Sequence, residues 1–285
     1  YAAEMIAFMD AAYAQGGRTI MDMHNYCRVW QPEQLNADGS LKYPGLTHKV
    51  QTGNSKTVRA QWFPINHPGC WWNYDTLATA YRLIAQRFGS HPGLLAYGLM
   101  NEPHARGGEN MNVDQVWMQN VQKLINEIRS VDAHWITVAG CAYSNAKTWR
   151  QVSDPLRNVT GERIMFEAHL YPDEIGAGGW QWKSGITHTV DPVARVNDWR
   201  DFIAWCAEVG RPAYAGEFGC PANIPGGTEF LHQLHELFDE HDVLRTQWLA
   251  GPGKSDTYAN GMDTAAGELK PNAAATINRI GLMKD

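Results

Sequence analysis

Short apolar runs of strand length alternate along this chain with longer runs whose apolar residues recur every three or four positions. One such stripe consists of Leu77, Tyr81, Ile84 and Phe88, a spacing that predicts one apolar face of a helix. Six strand-and-helix alternations can be placed, and no change of composition marks a second domain. Because strict alternation is typical of a parallel sheet covered by helices, we expect an α/β fold.

The predicted elements have recognisable boundaries. Asn73, Asn112 and Thr228 can each cap the helix that follows, and Pro271 suits the first turn of a final helix. A length of 285 residues suits one barrel of about 250 residues. We therefore expect a single catalytic domain of the (β/α)8 TIM-barrel type over residues 1–285. The six predicted strands lie at residues 18–23, 94–100, 135–139, 163–170, 212–216 and 243–248.

Two predicted strands are each followed directly by a glutamate. The strand at 94–100 leads into Asn-Glu-Pro-His, which contains Glu102, and the strand at 212–216 leads into Glu217. An acidic residue after a strand is often only a helix cap or an ion-pair partner. In a parallel barrel, however, the C-terminal strand ends form the face where reactions occur. Since burial of an unpaired carboxylate is costly, Glu102 and Glu217 are together candidates for an acid/base and a nucleophile.

Charge and hydropathy exclude two classes of partner. The formal net charge is −6, and 24 basic residues are scattered among 30 acidic ones. Nucleic acid binding would need clustered lysine and arginine, so we expect a neutral substrate and no nucleic acid partner. No apolar run reaches the length of about 20 residues that crosses a bilayer, so we expect no membrane partner.

Aromatic residues are abundant, with 12 tryptophans and 11 tyrosines, and several lie in loop-like segments, among them Trp30, Trp62 and Trp248. Aromatic faces can stack on sugar rings, although most aromatic side chains belong to the core. The five cysteines have no metal-binding spacing, and their pairing cannot be read from the sequence. We expect neither a metal nor a cofactor.

One connection is far longer than the others. Roughly fifty residues, at about 25–72, separate the first predicted strand from the next helix, against a usual two to six. This segment is rich in glycine, proline, asparagine and aromatic residues. A lid or a wall of the substrate site is one interpretation, and a tolerated surface insertion or small hairpin is the other.

Five motifs stand in order at the ends of successive predicted strands. Together they resemble family 5 of the glycoside hydrolases, the cellulase family of clan A, and especially its endo-β-1,4-glucanase branch. The resemblance implies a retaining, endo-acting enzyme that cleaves a β-1,4-glucan, such as cellulose or mixed-linkage glucan, by double displacement. The motifs are Asp-Met-His-Asn-Tyr at 22–26, Gly-Leu-Met-Asn-Glu-Pro-His at 98–104, His-Leu-Tyr at 169–171, Gly-Glu-Phe-Gly at 216–219 and Trp-Leu-Ala-Gly-Pro at 248–252.

The resemblance also implies roles for individual residues. Glu102 would be the general acid and then the base, and Glu217 the nucleophile, with the carboxyl groups about 5 to 5.5 Å apart. Asn101 would hydrogen-bond the sugar 2-hydroxyl, and Tyr171 would orient Glu217. Trp248 would lie beneath the sugar at the cleavage point. The remaining candidates for binding substrate are His24, Asn25, Trp30, His104 and His169.

The chain departs from the family pattern in three places. The pattern starts at the family's second helix, so only about six of eight β/α units are recognisable, and an arginine that follows the family's second strand is missing. No tryptophan follows the Gly-Pro at 251–252, and the connection after His24 is unusual. We expect either an upstream segment or a second chain that supplies two strands by swapping, and a secreted or periplasmic location.

Other functions stay open at this point. A mannan, xyloglucan or β-1,3-glucan could be the substrate, because loops choose the sugar on a shared fold. A non-catalytic carbohydrate-binding barrel is a second alternative, although the presence of both glutamates argues against it. A metal-dependent hydrolase would need a clustered motif such as H-x-x-x-H, and none stands out.

Overall fold

The computed structural model describes residues 2–53, 56–173, 176, 178, 189–221, 223–250, 260–262, 268–270 and 273. The chain divides into two compact units. The first comprises Tyr1–Ser144 and Val152–Met165, and the second comprises Asn145–Gln151 and Phe166–Asp285.

The first unit contains three long helices and two sheets. Its elements are α1 (Ala2–Ala14), β1 (Thr19–Asp22), β2 (Arg28–Pro32), β3 (His48–Gly53), β4 (Lys56–Pro64), α2 (Tyr74–Phe88), β5 (Leu94–Gly98), α3 (Val113–Arg129), β6 (Trp135–Ala139), the single turn α4 (Cys141–Ser144) and a 3-10 helix (Asp154–Asn158).

A parallel sheet with strand order β1-β5-β6 forms the core of this unit. Ile20 pairs with Ala96, and Tyr97 pairs with Ile136. The apolar stripes of α2 and α3 are buried, and each helix begins as the sequence indicates. Asn73 accepts a hydrogen bond from Thr76 N, and Asn112 accepts one from the N–H three residues later.

The long connection after β1 is neither an irregular loop nor a simple hairpin. It contains an antiparallel sheet with strand order β2-β4-β3, in which Trp30 lies opposite Trp62. Gln31 and Phe63 are buried while Trp30 is exposed. Because side chains alternate between the two faces of a strand, Gln31 and Phe63 lie on one face of this sheet, and Trp30 and Trp62 lie on the other.

The second unit contains a parallel sheet of three strands in the order β7 (Ile164–His169), β8 (Ala213–Glu217) and β9 (Leu244–Arg245). Two helices, α6 (Pro192–Glu208) and α7 (Gly227–Glu240), flank this sheet and pack on each other. The predicted cap at Thr228 is wrong, because the last of these helices begins at Gly227 with Gly226 as its cap. The predicted helix after Pro271 lies outside the described residues, apart from Ala273. The elements are a 3-10 helix (Ala146–Thr148), α5 (Trp149–Val152), β7 (Ile164–His169), which starts in the first unit, α6 (Pro192–Glu208), β8 (Ala213–Glu217), α7 (Gly227–Glu240) and β9 (Leu244–Arg245).

Two further findings bear on the sequence expectations. None of the five cysteines, all of which lie in the described part of the chain, forms a disulfide. Among the described residues, no helix combines the length and the apolar character that a membrane span requires.

Candidate functional site

Glu102 lies four residues beyond β5, where the backbone turns sharply. Its φ is 48°, in the left-handed region that non-glycine residues seldom adopt. The turn is fixed from both sides, because Asn101 N–H donates to Met23 O (2.9 Å) and the Tyr81 hydroxyl donates to Gly98 O (2.9 Å). Such backbone strain persists only where the surroundings impose it, and it is concentrated at functional sites.

His104 supports the backbone of this turn. Its Nδ1 lies 2.9 Å from the carbonyl oxygen of Glu102, and its Nε2 accepts a hydrogen bond from Arg106 Nε at 2.9 Å. Nδ1 therefore carries the proton. Burial lowers the pKa of His104 to about 4, and the charges of Arg28 and Arg106 act in the same direction. The imidazole is thus neutral near pH 7 and holds Glu102 through its main chain.

The remaining candidates in the first unit lie at the end of β1 and in β2. His24 Nδ1 lies 3.1 Å from Asp22 Oδ2, and its Nε2 lies 3.4 Å from the Tyr26 hydroxyl. Asn25 is partly buried, whereas Trp30 is an exposed residue of the antiparallel sheet. Met23, which precedes His24 at the end of β1, accepts the hydrogen bond from Asn101 N–H. His24 therefore lies at a strand end that is bound to the turn containing Glu102.

Glu217 is the last residue of β8 in the second unit. The Tyr171 hydroxyl donates a hydrogen bond to Glu217 Oε2 at 2.8 Å, and His169 Nδ1 lies 3.8 Å from Glu217 Oε1. Both partners come from the end of β7, whose His169 is paired with Glu217 in the sheet. A hydroxyl donor favours the ionised carboxylate and fixes the plane of the carboxyl group. This arrangement suits a nucleophile that must point in one direction.

Sequence reasoning missed Glu167, which completes this cluster. Its Oε1 lies 3.1 Å from His169 Nε2, and the side chain is buried. Glu167 and His169 are two residues apart on β7, so they share one face of the strand. The available signal was a carboxylate within an apolar strand, two positions before a candidate histidine.

Gly216 explains how this cluster fits. A Cβ at this position would lie 2.4 Å from Glu167 Oε1 and 2.7 Å from His169 Nε2. No side chain can occupy that space while Glu167 and His169 keep their places. The glycine before Glu217 is therefore part of the site.

Trp248 lies beside the segment that follows Glu217. Its N–H donates to Phe218 O at 2.8 Å, and its side chain is partly buried. A Cβ on Gly219 would lie 2.5 Å from Trp248 O, so these two backbones approach closely. The peptide bond between Trp248 and Leu249 is cis.

Comparisons with known proteins show which proteins this chain resembles. The sequence matches the family described as cellulase (glycosyl hydrolase family 5) over residues 1–253. Endoglucanase 1 of Saitozyma flava is 25% identical over 294 residues, which covers 95% of this chain and 70% of that protein. A probable endo-beta-1,4-glucanase B of Neosartorya fischeri is 29% identical over 185 residues, which covers 62% of this chain and 52% of that protein.

A crystal structure of an endoglucanase from Pseudomonas stutzeri has a TM-score of 0.73 and 27% identity, and the match covers 100% of this chain and 74% of that one. The fold prediction is thereby confirmed, with about six units of a (β/α)8 barrel. The family resemblance of the five motifs is also confirmed, because the family match spans most of the chain. This protein belongs to glycosyl hydrolase family 5, the cellulase family.

Proposed function

We propose that this protein is a retaining endo-β-1,4-glucanase that acts on cellulose or mixed-linkage glucan, with residues 1–285 as one catalytic domain. The observation that carries the proposal is the Tyr171 hydroxyl bound to Glu217 Oε2 at 2.8 Å, at the strand end where the family motif stands. Relatives with endo-β-1,4-glucanase names support the choice of substrate. So does a second Pseudomonas stutzeri endoglucanase structure, in complex with cellobiose, at 27% identity and a TM-score of 0.72.

In the proposed reaction, a Glu217 carboxylate oxygen attacks the anomeric carbon while Glu102 protonates the departing glycosidic oxygen. The glycosyl-enzyme ester is then hydrolysed by a water molecule that gives its proton to Glu102, so the sugar keeps its configuration. Tyr171 and His169 hold Glu217 in position. No cofactor or metal enters these steps.

Two asparagines, each with a buried polar atom, support a role in binding substrate. Among the described residues, neither Asn101 Nδ2 nor Asn25 Oδ1 has a hydrogen-bond partner. A buried polar atom without a partner costs about 1 to 3 kcal/mol, so a ligand hydroxyl that satisfies it would bind favourably. We assign Asn101 Nδ2 to the sugar 2-hydroxyl. In this proposal Asn25, His24, Trp30, His104 and Trp248 complete the substrate surface.

The proposed substrate is a neutral polysaccharide, which agrees with the scattered surface charge of the chain. A polymer of this kind is met outside the cell, so we also propose that the protein is secreted or periplasmic. No nucleic acid or membrane is part of the proposed activity.

A panel of polysaccharides tests the proposal. We expect carboxymethylcellulose and mixed-linkage glucan to lose viscosity faster than they gain reducing ends, as internal cleavage requires. Faster cleavage of mannan, xyloglucan or β-1,3-glucan would reassign the substrate. Retention on a cellulose column without hydrolysis of any member would indicate a non-catalytic binding protein.

Two variants test the roles of the glutamates. Glu217→Ala should abolish hydrolysis, keep oligosaccharide affinity within a few-fold, and regain turnover in azide with inverted product. Glu102→Ala should cleave natural glycosides slowly yet still react with substrates whose leaving groups need no protonation. Glu208→Ala, which changes an exposed glutamate, is the control. Activity near the parent level in Glu217→Ala would overturn the assignment.

A further inference from the structure

The face of the antiparallel sheet opposite Gln31 and Phe63 carries two stacked tryptophans, of which Trp30 is exposed and Trp62 is partly buried. Trp30 on β2 lies opposite Trp62 on β4, and the ring planes are inclined by 12° with centroids 5.8 Å apart. Trp30 is 48% exposed. By the alternation of side chains along paired strands, Lys49 and Gln51 on β3 share this face. The face thus combines flat aromatic surface with polar groups that can bind hydroxyls.

The aromatic surface continues toward Glu102 within the first unit. The Tyr26 ring meets the edge of Trp62 at a centroid distance of 5.8 Å and meets His104 at the same distance. His104 in turn holds the Glu102 backbone. We call Tyr26, Trp62 and Trp30 the aromatic strip, which runs from the turn of the proposed acid to an exposed end at Trp30.

A buried ion pair fixes the aromatic strip to that turn. Arg28 is fully buried and binds both carboxylate oxygens of Glu109 at 2.7 Å. Two further N–H groups of Arg28 donate to the carbonyl oxygens of Tyr26 and His104, also at 2.7 Å. The Arg28 guanidinium lies 5.3 Å from the Trp62 ring centroid, so the pair supports the ring as well. Arg28 is therefore a positioning residue that holds the strip and the Glu102 turn together.

We propose that the aromatic strip is a polysaccharide-binding surface, on which sugar units of a long glucan chain stack outside the cleavage point. The proposal rests on the proposed glucanase function and goes beyond it, because it assigns Trp62 and the inserted sheet to recognition of chain length. Pyranose rings of a β-1,4-glucan carry apolar C–H faces and equatorial hydroxyls. Tryptophan faces beside exposed amide and ammonium groups match both features.

Binding of cello-oligosaccharides of two to six units, measured by calorimetry in the inactive Glu217→Ala protein, tests this proposal. In that parent, affinity should rise with chain length. Trp30→Ala and Trp62→Ala should flatten this rise, with a loss of about tenfold for the longest ligand, by analogy with stacking of other flat rings on aromatic side chains. Trp71→Ala should keep the parent's dependence, since Trp71 is 67% exposed and lies outside the strip.

Unchanged chain-length dependence in both Trp30→Ala and Trp62→Ala would overturn the proposal, and so would a parent that binds all lengths equally. If Trp62→Ala does not fold, as judged by its thermal unfolding, Trp30→Ala decides, because its side chain is largely exposed. The proposed function is judged separately by hydrolysis in the protein with Glu217 intact. A protein that hydrolyses glucan without length-dependent binding contradicts the strip alone.

Discussion

Gly216 leaves the space in which Glu167 and His169 meet beside Glu217. We predict that Gly216→Ala lowers kcat by about 10²-fold, because the methyl group displaces both polar side chains and a shift of about 1 Å in a catalytic group costs that much. Gly107→Ala is the matched control, since nothing lies within 4 Å of a Cβ there. Wild-type kcat in Gly216→Ala would show that the positions of Glu167 and His169 do not matter for turnover.

His104 should make stability depend on pH. Its pKa is lowered to about 4 in the folded protein and is near 6.5 in the unfolded chain, so only the unfolded state gains a proton between these values. The free energy of unfolding should therefore be fully present above about pH 6.5 and fall as the pH drops toward 4. The charged groups that face His104 are Arg28, which is paired with Glu109, and Arg106.

Urea unfolding at several pH values would measure this dependence. His104→Gln should lose less stability than the parent between pH 7 and pH 4, because it has no proton to gain. Parallel curves for the two proteins would contradict the account.

Single residues of the site were predictable to different degrees. Glu102, Glu217 and Tyr171 stand in motifs, so sequence order alone brings them to strand ends. Glu167 was missed although it lies two positions before His169 on the same strand, because the space in which the two side chains meet depends on the missing side chain at Gly216 on the neighbouring strand. The roles of the motif residues stay predictions until variants are assayed.

At the scale of secondary-structure elements, the Arg28–Glu109 pair joins β2 to the segment that follows β5. We predict that Glu109→Ala lowers the free energy of unfolding by about 3 to 5 kcal/mol, because Arg28 would remain buried without its counter-charge. Glu208→Ala removes an equally bidentate but exposed pair with Arg150 and should cost about 1 kcal/mol or less. Chemical denaturation would compare the two, and equal losses would contradict the role of burial.

The helices were easier to predict than the inserted sheet. The starts of α2 and α3 followed from Asn73 and Asn112, because a capping side chain and the apolar stripe lie within a few residues. The strands β2 and β4 pair across roughly thirty residues and carry charged and amide side chains, so local pattern did not reveal them. The start of α7 was missed because its cap, Gly226, has no side chain that could signal a helix start. Gly226 adopts a left-handed conformation with φ 80°, and no side chain caps the helix.

For the molecule as a whole, the edge of β1 that faces away from β5 is a place where a further strand could add. In the described part of the chain β1 pairs only with β5, and a largely apolar cavity of about 620 Å³ lies between α1, β1 and α2. Unpaired backbone groups beside apolar surface favour association. Both expectations, an upstream segment and a second chain that supplies two strands by swapping, therefore stay predictions.

Light scattering tests the second of these predictions. For a polypeptide of these 285 residues alone, we expect a mass above 31.9 kDa at micromolar concentrations. Phe8→Asp should reduce the mass, because exposed Phe8 lines the cavity. Leu83→Asp, at an exposed leucine of α2 outside the cavity lining, should leave the mass unchanged. A monomer at all concentrations would show that this edge tolerates solvent.

In the proposed reaction, Glu217 forms a covalent bond to the sugar during turnover. A 2-deoxy-2-fluoro-cellobioside with a reactive leaving group is the sharpest test, because the fluorine slows both steps and the reactive leaving group speeds only the first, so that the glycosyl-enzyme ester accumulates. Peptide mass spectrometry of the inactivated protein should place one added fluorosugar on Glu217. Attachment to another residue, or no attachment by an enzyme that hydrolyses glucan, would contradict the account.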